Sequence, residues 1–407
     1  MHFSHLTGQD KDKTDKSPYF IIPELQIGKT IPANTDFPDT DFQKSAFLSV
    51  GTYNFSEDKE WAARLNYPRT GLTIGYTDFG NSDKVGHALT LLPFIEFDIL
   101  KKHIPKLNLQ VGVGTAYVNK QFDSITNPLN RAITTKFSWA FRSFLYYDVL
   151  NTENVTWRFG LGYLHQSNGH TRLPNQGLNS LAASISARFD RRKEQIETPT
   201  FHNFKSKSQS YFSARFGIGQ NVLSEVFNDK KEVYSFAADY GKIINNTFKF
   251  GVGFYYRFYE HYYDYIKNNE ALVEEQYPVF RDNPFGYATN FGLFVTSELL
   301  LSHFGFEFDL GVNIYKPFYK IDWQLNEGYS YVNPDNNTIT VLGELDWYYE
   351  IKRTISTRMG LKYYLWNTKN SPKHNIFIGA HINANLGQAD FTDLSLGYVY
   401  RFNYRTK

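Results

Sequence analysis

The 407-residue chain contains no cysteine and only two methionines. It also lacks any apolar run close to the ~20 residues that a membrane-spanning helix requires. The missing cysteines fit an envelope protein that avoids stray disulfides. The sequence has no zinc-finger spacing, no phosphate-binding glycine loop and no Gly-x-Ser-x-Gly elbow, which removes the most familiar sequence signatures of metal, nucleotide and hydrolase sites.

Excess charge of either sign is missing too, because the formal net charge is only +2. Without a basic field the chain has no means of attracting nucleic acid. Aromatic strands could stack on bases, but here they are not interleaved with basic residues. We therefore expect no nucleic-acid partner.

Aromatic residues are abundant instead, with 36 Phe and 30 Tyr. They lie in alternating segments of about ten residues, the repeat that is typical of outer-membrane strands with aromatic girdles. A soluble β-sandwich also alternates, but so many aromatics on one strand face are excessive for a soluble surface. The sequence therefore predicts an all-β protein, a transmembrane antiparallel outer-membrane β-barrel.

The alternation predicts about 16 strands, within two either way, because strand boundaries are the least certain part of such a prediction. In the first half they are expected at 19–30, 46–55, 71–79, 87–101, 106–119, 133–149, 155–168 and 178–189. In the second half they are expected at 210–221, 232–243, 247–260, 287–302, 304–316, 339–352, 354–367, 375–385 and 391–402. The predicted organisation is a flexible tail at 1–18, a barrel half at 19–189, a linker or long turn at 190–209, and a second barrel half at 210–407 that ends in an aromatic strand.

The inward face of the second half is strongly charged. The residues assigned to it are Lys249, Glu307, Asp309, Glu344, Asp346, Glu350, Arg358 and Lys362. Buried charges persist when they are paired or hydrated, so this pattern favours a salt-bridged or hydrated lumen over a cation site. Because such an interior would crowd a small barrel, we favour one barrel over the alternative of two eight-stranded barrels.

The predicted strand 155–168 carries the residues of greatest chemical interest. Its outward row of bulky apolar residues ends in His165 and Ser167, about 7 Å apart along the strand. Asn179, at the start of the next strand, shares that face, and Asn168, Gly169 and the loop 171–177 could offer amide donors to an oxyanion. A base, a nucleophile and an orienting group are the parts of a serine hydrolase. The alternative is an ordinary polar barrel rim followed by a turn.

These residues carry a family resemblance. His165-x-Ser167-Asn168, followed by Pro174-Asn175-x-Gly177, resembles the motif of the PagL-like lipid A 3-O-deacylases and acyloxyacyl hydrolases. The resemblance extends over about 60–190 and includes the clusters Tyr67-Pro68-Arg69-x-Gly71, Asp78-Phe79-Gly80-Asn81 and Thr126-Asn127-Pro128. It implies an eight-stranded outer-membrane barrel whose catalytic residues face the lipid.

The resemblance also implies roles for these residues. His165 would be the general base, Ser167 the nucleophile and Asn168 an oxyanion contributor. Asn179 stands where the family has a glutamate. Its amide oxygen can accept a hydrogen bond from the imidazole, but it cannot supply the negative charge that stabilises an imidazolium.

We therefore predict a lipid A deacylase that needs no cofactor or metal and acts on lipopolysaccharide in the outer membrane of a Gram-negative bacterium. The alternative is a catalytically impaired barrel that serves as a structural subunit of a larger outer-membrane complex and binds other outer-membrane proteins through its wall and the loops 261–286 and 317–337. A diffusion pore would require a wide lumen. Since no signal peptide is visible, we expect the numbering to describe a processed chain.

Overall fold

The computed structural model describes residues 18–55, 59–100, 103–104, 106–191, 205–332, 334–336 and 338–406. These residues form two closed antiparallel barrels of eight strands each. The predicted class, an all-β outer-membrane-type barrel protein with about 16 strands, is confirmed. The preference for a single barrel is wrong, and the alternative of two eight-stranded barrels is correct.

The first barrel closes by pairing its first strand with its eighth, where Leu25 lies opposite Ile185. Its strands are β1 (Tyr19–Ile31), β2 (Gln43–Tyr53), β3 (Arg69–Asp78), β4 (His87–Asp98), β5 (Leu107–Val118), β6 (Phe137–Asn151), β7 (Val155–Ser167) and β8 (Leu178–Arg191). One short helix, α1 (Glu60–Arg64), precedes β3.

The second barrel closes between its first strand and the last strand of the chain, where Phe216 lies opposite Leu396. Its strands are β9 (Lys207–Asn221), β10 (Lys231–Ile244), β11 (Phe248–Tyr259), β12 (Thr289–Leu301), β13 (Phe304–Tyr315), β16 (Ile355–Tyr364), β17 (His374–Asn385) and β18 (Gln388–Thr406). The short strands β14 (Tyr329–Val332) and β15 (Thr338–Val341) form a separate hairpin.

Helices fill the long connections of the second barrel. They are α2 (Glu260–Lys267), α3 (Ala271–Glu275), α4 (Pro284–Tyr287), α5 (Tyr319–Asn326) and α6 (Trp347–Thr354), with 3-10 turns at Pro278–Asp282 and Thr368–Asn370. None of the helices in the described part of the chain is both long and apolar enough to cross a membrane. Tyr262 and Phe318 stack at 4.2 Å and belong to an aromatic cluster over one end of the second barrel.

The two ends of the barrels differ in the length of their connections. The turns at 152–154, 245–247 and 302–303 are short, whereas the connections at 119–136, 260–288 and 316–354 leave the opposite end. Outer-membrane barrels place short turns in the periplasm and long loops outside the cell. We call these the turn end and the loop end.

Side chains alternate as the sequence predicts. On β7 the outward residues Trp157, Phe159 and Leu161 are 47%, 43% and 56% exposed, while the intervening Thr156 and Arg158 are buried inside the barrel. Both barrels therefore present apolar outer walls around polar interiors, which is the arrangement of a protein solvated by hydrocarbon.

The polar interior of the first barrel is filled by paired charges. Glu24 accepts hydrogen bonds from Arg142 at 2.6 Å and from the Tyr146 hydroxyl at 2.7 Å. Glu96 forms ion pairs with Arg69 at 2.8 Å and with Arg158 at 2.9 Å. A buried carboxylate held by two donors avoids the cost of an unpaired charge.

The interior of the second barrel is filled in the same way. Glu298 accepts hydrogen bonds from Lys249 at 3.0 Å and from Lys362 at 3.1 Å, and Glu307 pairs with Lys362 and Arg358. The single-barrel prediction is wrong because opposite charges that pair compactly fit an eight-stranded barrel.

Three of the predicted inward charges lie outside the barrel. Glu344, Asp346 and Glu350 are exposed, because the predicted strand 339–352 is instead β15 followed by α6. Asp346 caps α6 by accepting a hydrogen bond from the Tyr349 N–H at 2.9 Å.

Two predicted segments fall mainly on parts of the chain that are not described. Residues 1–17 of the predicted tail 1–18, and residues 192–204 of the predicted linker 190–209, lie outside the described residues. On either side of the second gap, β8 ends at Arg191 and β9 begins at Lys207.

Candidate active site

The end of β7 carries His165 and Ser167 on the outer wall of the first barrel, at its loop end. Their rows are fixed by strand pairing, since His165 lies opposite Phe141 on β6 and opposite Asn179 on β8, and Ser167 lies opposite Trp139. The outward placement that the alternation predicts for His165, Ser167 and Asn179 is therefore what the structure has.

His165 and Asn179 are hydrogen-bonded. Imidazole Nδ1 and the Asn179 Oδ1 atom lie 2.7 Å apart, and the Tyr163 hydroxyl donates to the same oxygen at 2.5 Å. The Asn179 amide nitrogen faces the Gly177 carbonyl at 3.4 Å. Because Oδ1 accepts, Nδ1 carries the imidazole proton and Nε2 keeps the lone pair that a base requires.

Ser167, the last residue of β7, is almost fully buried. Its hydroxyl oxygen accepts hydrogen bonds from Asn175 Nδ2 at 2.9 Å and from the Gly169 N–H at 3.3 Å. Among the described residues no hydrogen bond joins His165 to Ser167, although both line one groove. Catalytic hydrogen bonds are often long before substrate binds.

The predicted oxyanion residues Asn168 and Gly169 have different surroundings. The Asn168 backbone N–H donates to Asn175 Oδ1 at 3.0 Å, and its side-chain amide donates to the Arg172 carbonyl at 2.7 Å. Asn168 therefore ties the turn together. The N–H of Gly169 points at Ser167, and Gly169 has a φ of +66°, which glycine adopts without strain.

Asn175 is a site residue that sequence reasoning did not single out. Its side-chain amide donates to the Ser167 hydroxyl and its amide oxygen accepts from Asn168. The signal was available, because Asn175 stands in the Pro174-Asn175-x-Gly177 part of the motif. The sequence predicted only that the loop 171–177 supplies amide donors.

The site opens into a groove of about 840 Å³ between the two barrels. Ser167, His165 and Tyr163 line it from the first barrel, and Met359 and Ile382 line it from the second. The second barrel's contribution could not be predicted, since strand alternation says which side chains face outward but not which walls meet.

Direct contacts join the barrels beside the groove. Trp139 Nε1 donates a hydrogen bond to the Thr392 hydroxyl at 3.2 Å, and that hydroxyl donates to the Gly169 carbonyl at 3.3 Å. A Cβ atom on Gly169 would collide with Thr392 Oγ1. The turn that follows Ser167 is therefore packed directly on β18 of the second barrel.

The loops at this end are joined as well. Leu173 and Asn228 exchange two hydrogen bonds, of 2.9 and 2.6 Å, and the Val222 N–H donates to the His170 carbonyl at 3.3 Å. Burial lowers the pKa of the His170 imidazole. The His170 backbone thus helps to join the two loops.

Nearby, α5 carries a carboxyl group in an unusual environment. Asp322 accepts hydrogen bonds from Asn326 at 2.8 Å and from the Tyr262 hydroxyl at 3.2 Å. Burial, reinforced by Asp390 and opposed by Lys316, raises the pKa of Asp322 to about 7.

No group of His, Asp and Glu side chains in the described residues could hold a metal ion.

Two families match this chain. Residues 50–188 match the family described as lipid A 3-O-deacylase (PagL), and residues 209–329 match the acyloxyacyl hydrolase C-terminal domain. The resemblance to the PagL-like family is confirmed. The two matches fall on the two barrels in turn, so the resemblance extends over both parts of the chain. Together with the apolar outer walls, they confirm the predicted location in the outer membrane.

Several solved structures are similar to parts or most of this chain. The outer membrane enzyme PagL is 15% identical and matches over 40% of this chain and 97% of that chain, with a TM-score of 0.28. OccK5 (OpdH) of Pseudomonas aeruginosa is 8% identical over 95% and 98%, with a TM-score of 0.19. OccAB4 of Acinetobacter baumannii is 7% identical over 97% and 100%, with a TM-score of 0.21. Among curated proteins no relative matches.

Proposed function

We propose that this protein is an outer-membrane lipid A deacylase, a serine esterase that hydrolyses an ester-linked acyl chain of lipopolysaccharide. The observation that carries the proposal is the outward-facing set Ser167, His165 and Asn179, which lies in the part of the chain that matches the lipid A 3-O-deacylase family. A nucleophile on the outside of a barrel can reach an ester only if the substrate itself lies in the membrane.

In the proposed first step the Ser167 hydroxyl attacks the ester carbonyl carbon and His165 Nε2 takes its proton. The new Oγ–carbon bond forms as the carbonyl oxygen becomes an oxyanion. When the tetrahedral intermediate collapses, the bond to the sugar oxygen breaks and His165 returns the proton to that oxygen. Water, deprotonated by His165, then releases the fatty acid and restores Ser167.

The donors closest to the Ser167 hydroxyl oxygen are the Gly169 N–H and the Asn175 side-chain amide, which both donate hydrogen bonds to it. Preorganised donors beside the attacked carbonyl are worth about 10²–10³ in rate each. Asn168 supports them by holding Asn175 through its backbone N–H. In this proposal Gly169 and Asn175 bind the oxyanion and Asn168 positions them.

Asn179 performs one of the two tasks of the acidic residue in a catalytic triad, because it orients the imidazole but carries no charge. Its oxygen orients the imidazole and keeps the proton on Nδ1, which leaves Nε2 free to act as the base. It does not add the negative charge that would stabilise the imidazolium in the transition state. We therefore expect a working but slow esterase.

The test is mass spectrometry of lipid A from cells that express the wild-type protein or Ser167→Ala. The expected result is the loss of one acyl chain with the wild type and intact lipid A with the variant. Ser297→Ala is the matched control, because Ser297 also lies on an outer wall, on β12. Unchanged lipid A with folded, membrane-inserted wild-type protein would refute the proposal.

The second candidate is a catalytically impaired barrel that acts as a structural subunit of a larger outer-membrane complex. The neutral Asn179 favours it, and so do exposed aromatics on the loop-end helices, such as Trp347 at 72% and Phe285 at 54%. If the protein leaves lipid A unchanged, gentle purification would test this candidate. The expected result is that other outer-membrane proteins co-purify stably with it.

A further inference from the structure

The second barrel provides one wall of the candidate active site, and this suggests what it does there. On β6 Trp139 lies beside Ser167, and its indole N–H reaches Thr392 on β18. Thr392 in turn lies opposite Ile382 on β17, and Ile382 lies opposite Met359 on β16. A continuous row of side chains therefore runs from the nucleophile to the outer wall of the second barrel.

The two walls below Ser167 are apolar. Phe141 lies beside His165 on the first barrel, and Phe308 lies beside Met359 on the second. All of these side chains line the groove. Charged lining residues occur at its loop-end mouth, where Arg131 and Glu225 form an ion pair. A polar mouth above apolar walls fits a lipid whose headgroup lies at the loop end and whose acyl chain points into the membrane.

We propose that the acyl chain to be cleaved lies between the two barrels, and that Ile382 and Met359 of the second barrel select its length and shape. This inference rests on the proposed function, because it assigns the substrate chain of that same site. The contacts of Gly169 and Trp139 with Thr392 join the two barrels beside Ser167, and in this proposal the chain enters the groove sideways from the membrane. The second barrel then acts as a specificity wall.

The first experiment measures chain-length preference in full-length protein. Ile382→Trp narrows the groove, and Ile378→Trp is its control, because Ile378 is on the same strand and face but 60% exposed to lipid about 13 Å away. One methylene in an apolar pocket changes selectivity by about tenfold or more. We expect Ile382→Trp to shift cleavage towards shorter chains by at least about tenfold, with Ile378→Trp unchanged.

The second experiment does not depend on turnover. Synthetic lipid A whose acyl chains end in a photoreactive diazirine is crosslinked to the Ser167→Ala protein, alone and combined with either tryptophan substitution. The expected labels lie on peptides of both walls and disappear with Ile382→Trp but not with Ile378→Trp. Labels that are absent, confined to the first barrel or unaffected by Ile382→Trp would overturn the inference.

The two experiments separate the two proposals. If wild-type protein cleaves lipid A but Ile382→Trp behaves like Ile378→Trp, the specificity wall is wrong and the deacylase stands. If labelling follows the expected pattern but no cleavage occurs, the chain binds between the barrels and the proposed activity is wrong.

Discussion

Replacing Asn179 by aspartate tests the catalytic geometry most directly, because the substitution keeps the shape of the side chain and adds a negative charge. The oxygen at this position already accepts hydrogen bonds from His165 Nδ1 at 2.7 Å and from the Tyr163 hydroxyl at 2.5 Å. An aspartate oxygen in that place would accept both, and its charge would stabilise the imidazolium that forms as Ser167 attacks.

The size of the effect follows from the change in the hydrogen bond. A neutral hydrogen bond contributes about 0.5–1.5 kcal/mol and one to a charged group about 1.5–3 kcal/mol. The difference of about 1–1.5 kcal/mol applies to the transition state, where the imidazole is charged, and corresponds to about tenfold in rate. Asn179→Asp is therefore expected to be about ten times faster than the wild type.

The opposite substitution removes the orientation altogether. Asn179→Leu leaves His165 and Tyr163 without their shared acceptor, so the imidazole loses its fixed tautomer. General-base catalysis contributes about 10²–10⁴ in rate, and a loss in that range is expected. Asn179→Glu restores a charge on a longer side chain and should fall between the wild type and Asn179→Asp.

The assay is the initial rate of fatty-acid release from purified lipopolysaccharide by each variant in detergent, with Ser167→Ala subtracted as background. Folding is checked by the shift in gel mobility that an intact barrel shows before heating. If folded Asn179→Asp is no faster than the wild type and folded Asn179→Leu is no slower, His165 is not a base oriented by residue 179.

Three further predictions concern the frame of the site. Gly169→Ala should lower lipid A cleavage at least about tenfold by driving a methyl group into Thr392, and Thr392→Gly should partly restore it, whereas no restoration would mean that the positive φ alone is responsible. Glu298→Leu should lower the free energy of unfolding in urea by about 3–5 kcal/mol, because Lys249 loses its hydrogen-bonded carboxylate and Lys362 keeps only one of its two, Glu307; an unchanged midpoint would contradict this. Since the pKa of Asp322 is raised from 3.8 to about 7, its contribution to stability should be lost as pH rises through that window, by up to about 4 kcal/mol. Asp322→Asn should weaken the dependence of the melting temperature on pH between pH 4 and pH 7, which are about the pKa values of Asp322 in the unfolded and the folded protein. A pH dependence as steep as that of the wild type would refute the assignment.

The sequence predicts the strands well because a period of two is a local property. The predicted strand 155–168 is Val155–Ser167 in the structure, and the hairpin that brings His165 to Asn179 follows from that period. The aromatic run at Trp347 misled the prediction, because a capped helix and a strand both tolerate such residues. The cap, Asp346, was counted as an inward charge instead.

The closure of the barrels and the far wall of the site depend on contacts between distant parts of the chain. Nothing in the alternation of β1 says whether it pairs with β8 or with β18. The buried charges led to the wrong preference for a single barrel, because the sequence does not show which of them form pairs. Ile382 and Met359 reach Ser167 only through the packing of two separate barrels. Such contacts leave no periodic trace in a single sequence.

Separate closure of the two barrels has a consequence for biogenesis. The first barrel is complete once β8 has paired with β1, and this needs nothing beyond Arg191. Shorter separations between paired strands also make closure faster than in one large ring. Yet the groove beside Ser167 does not exist until β16, β17 and β18 have folded. A half-assembled molecule therefore has Ser167 without the second wall, and the groove forms only when β18 has paired with β9.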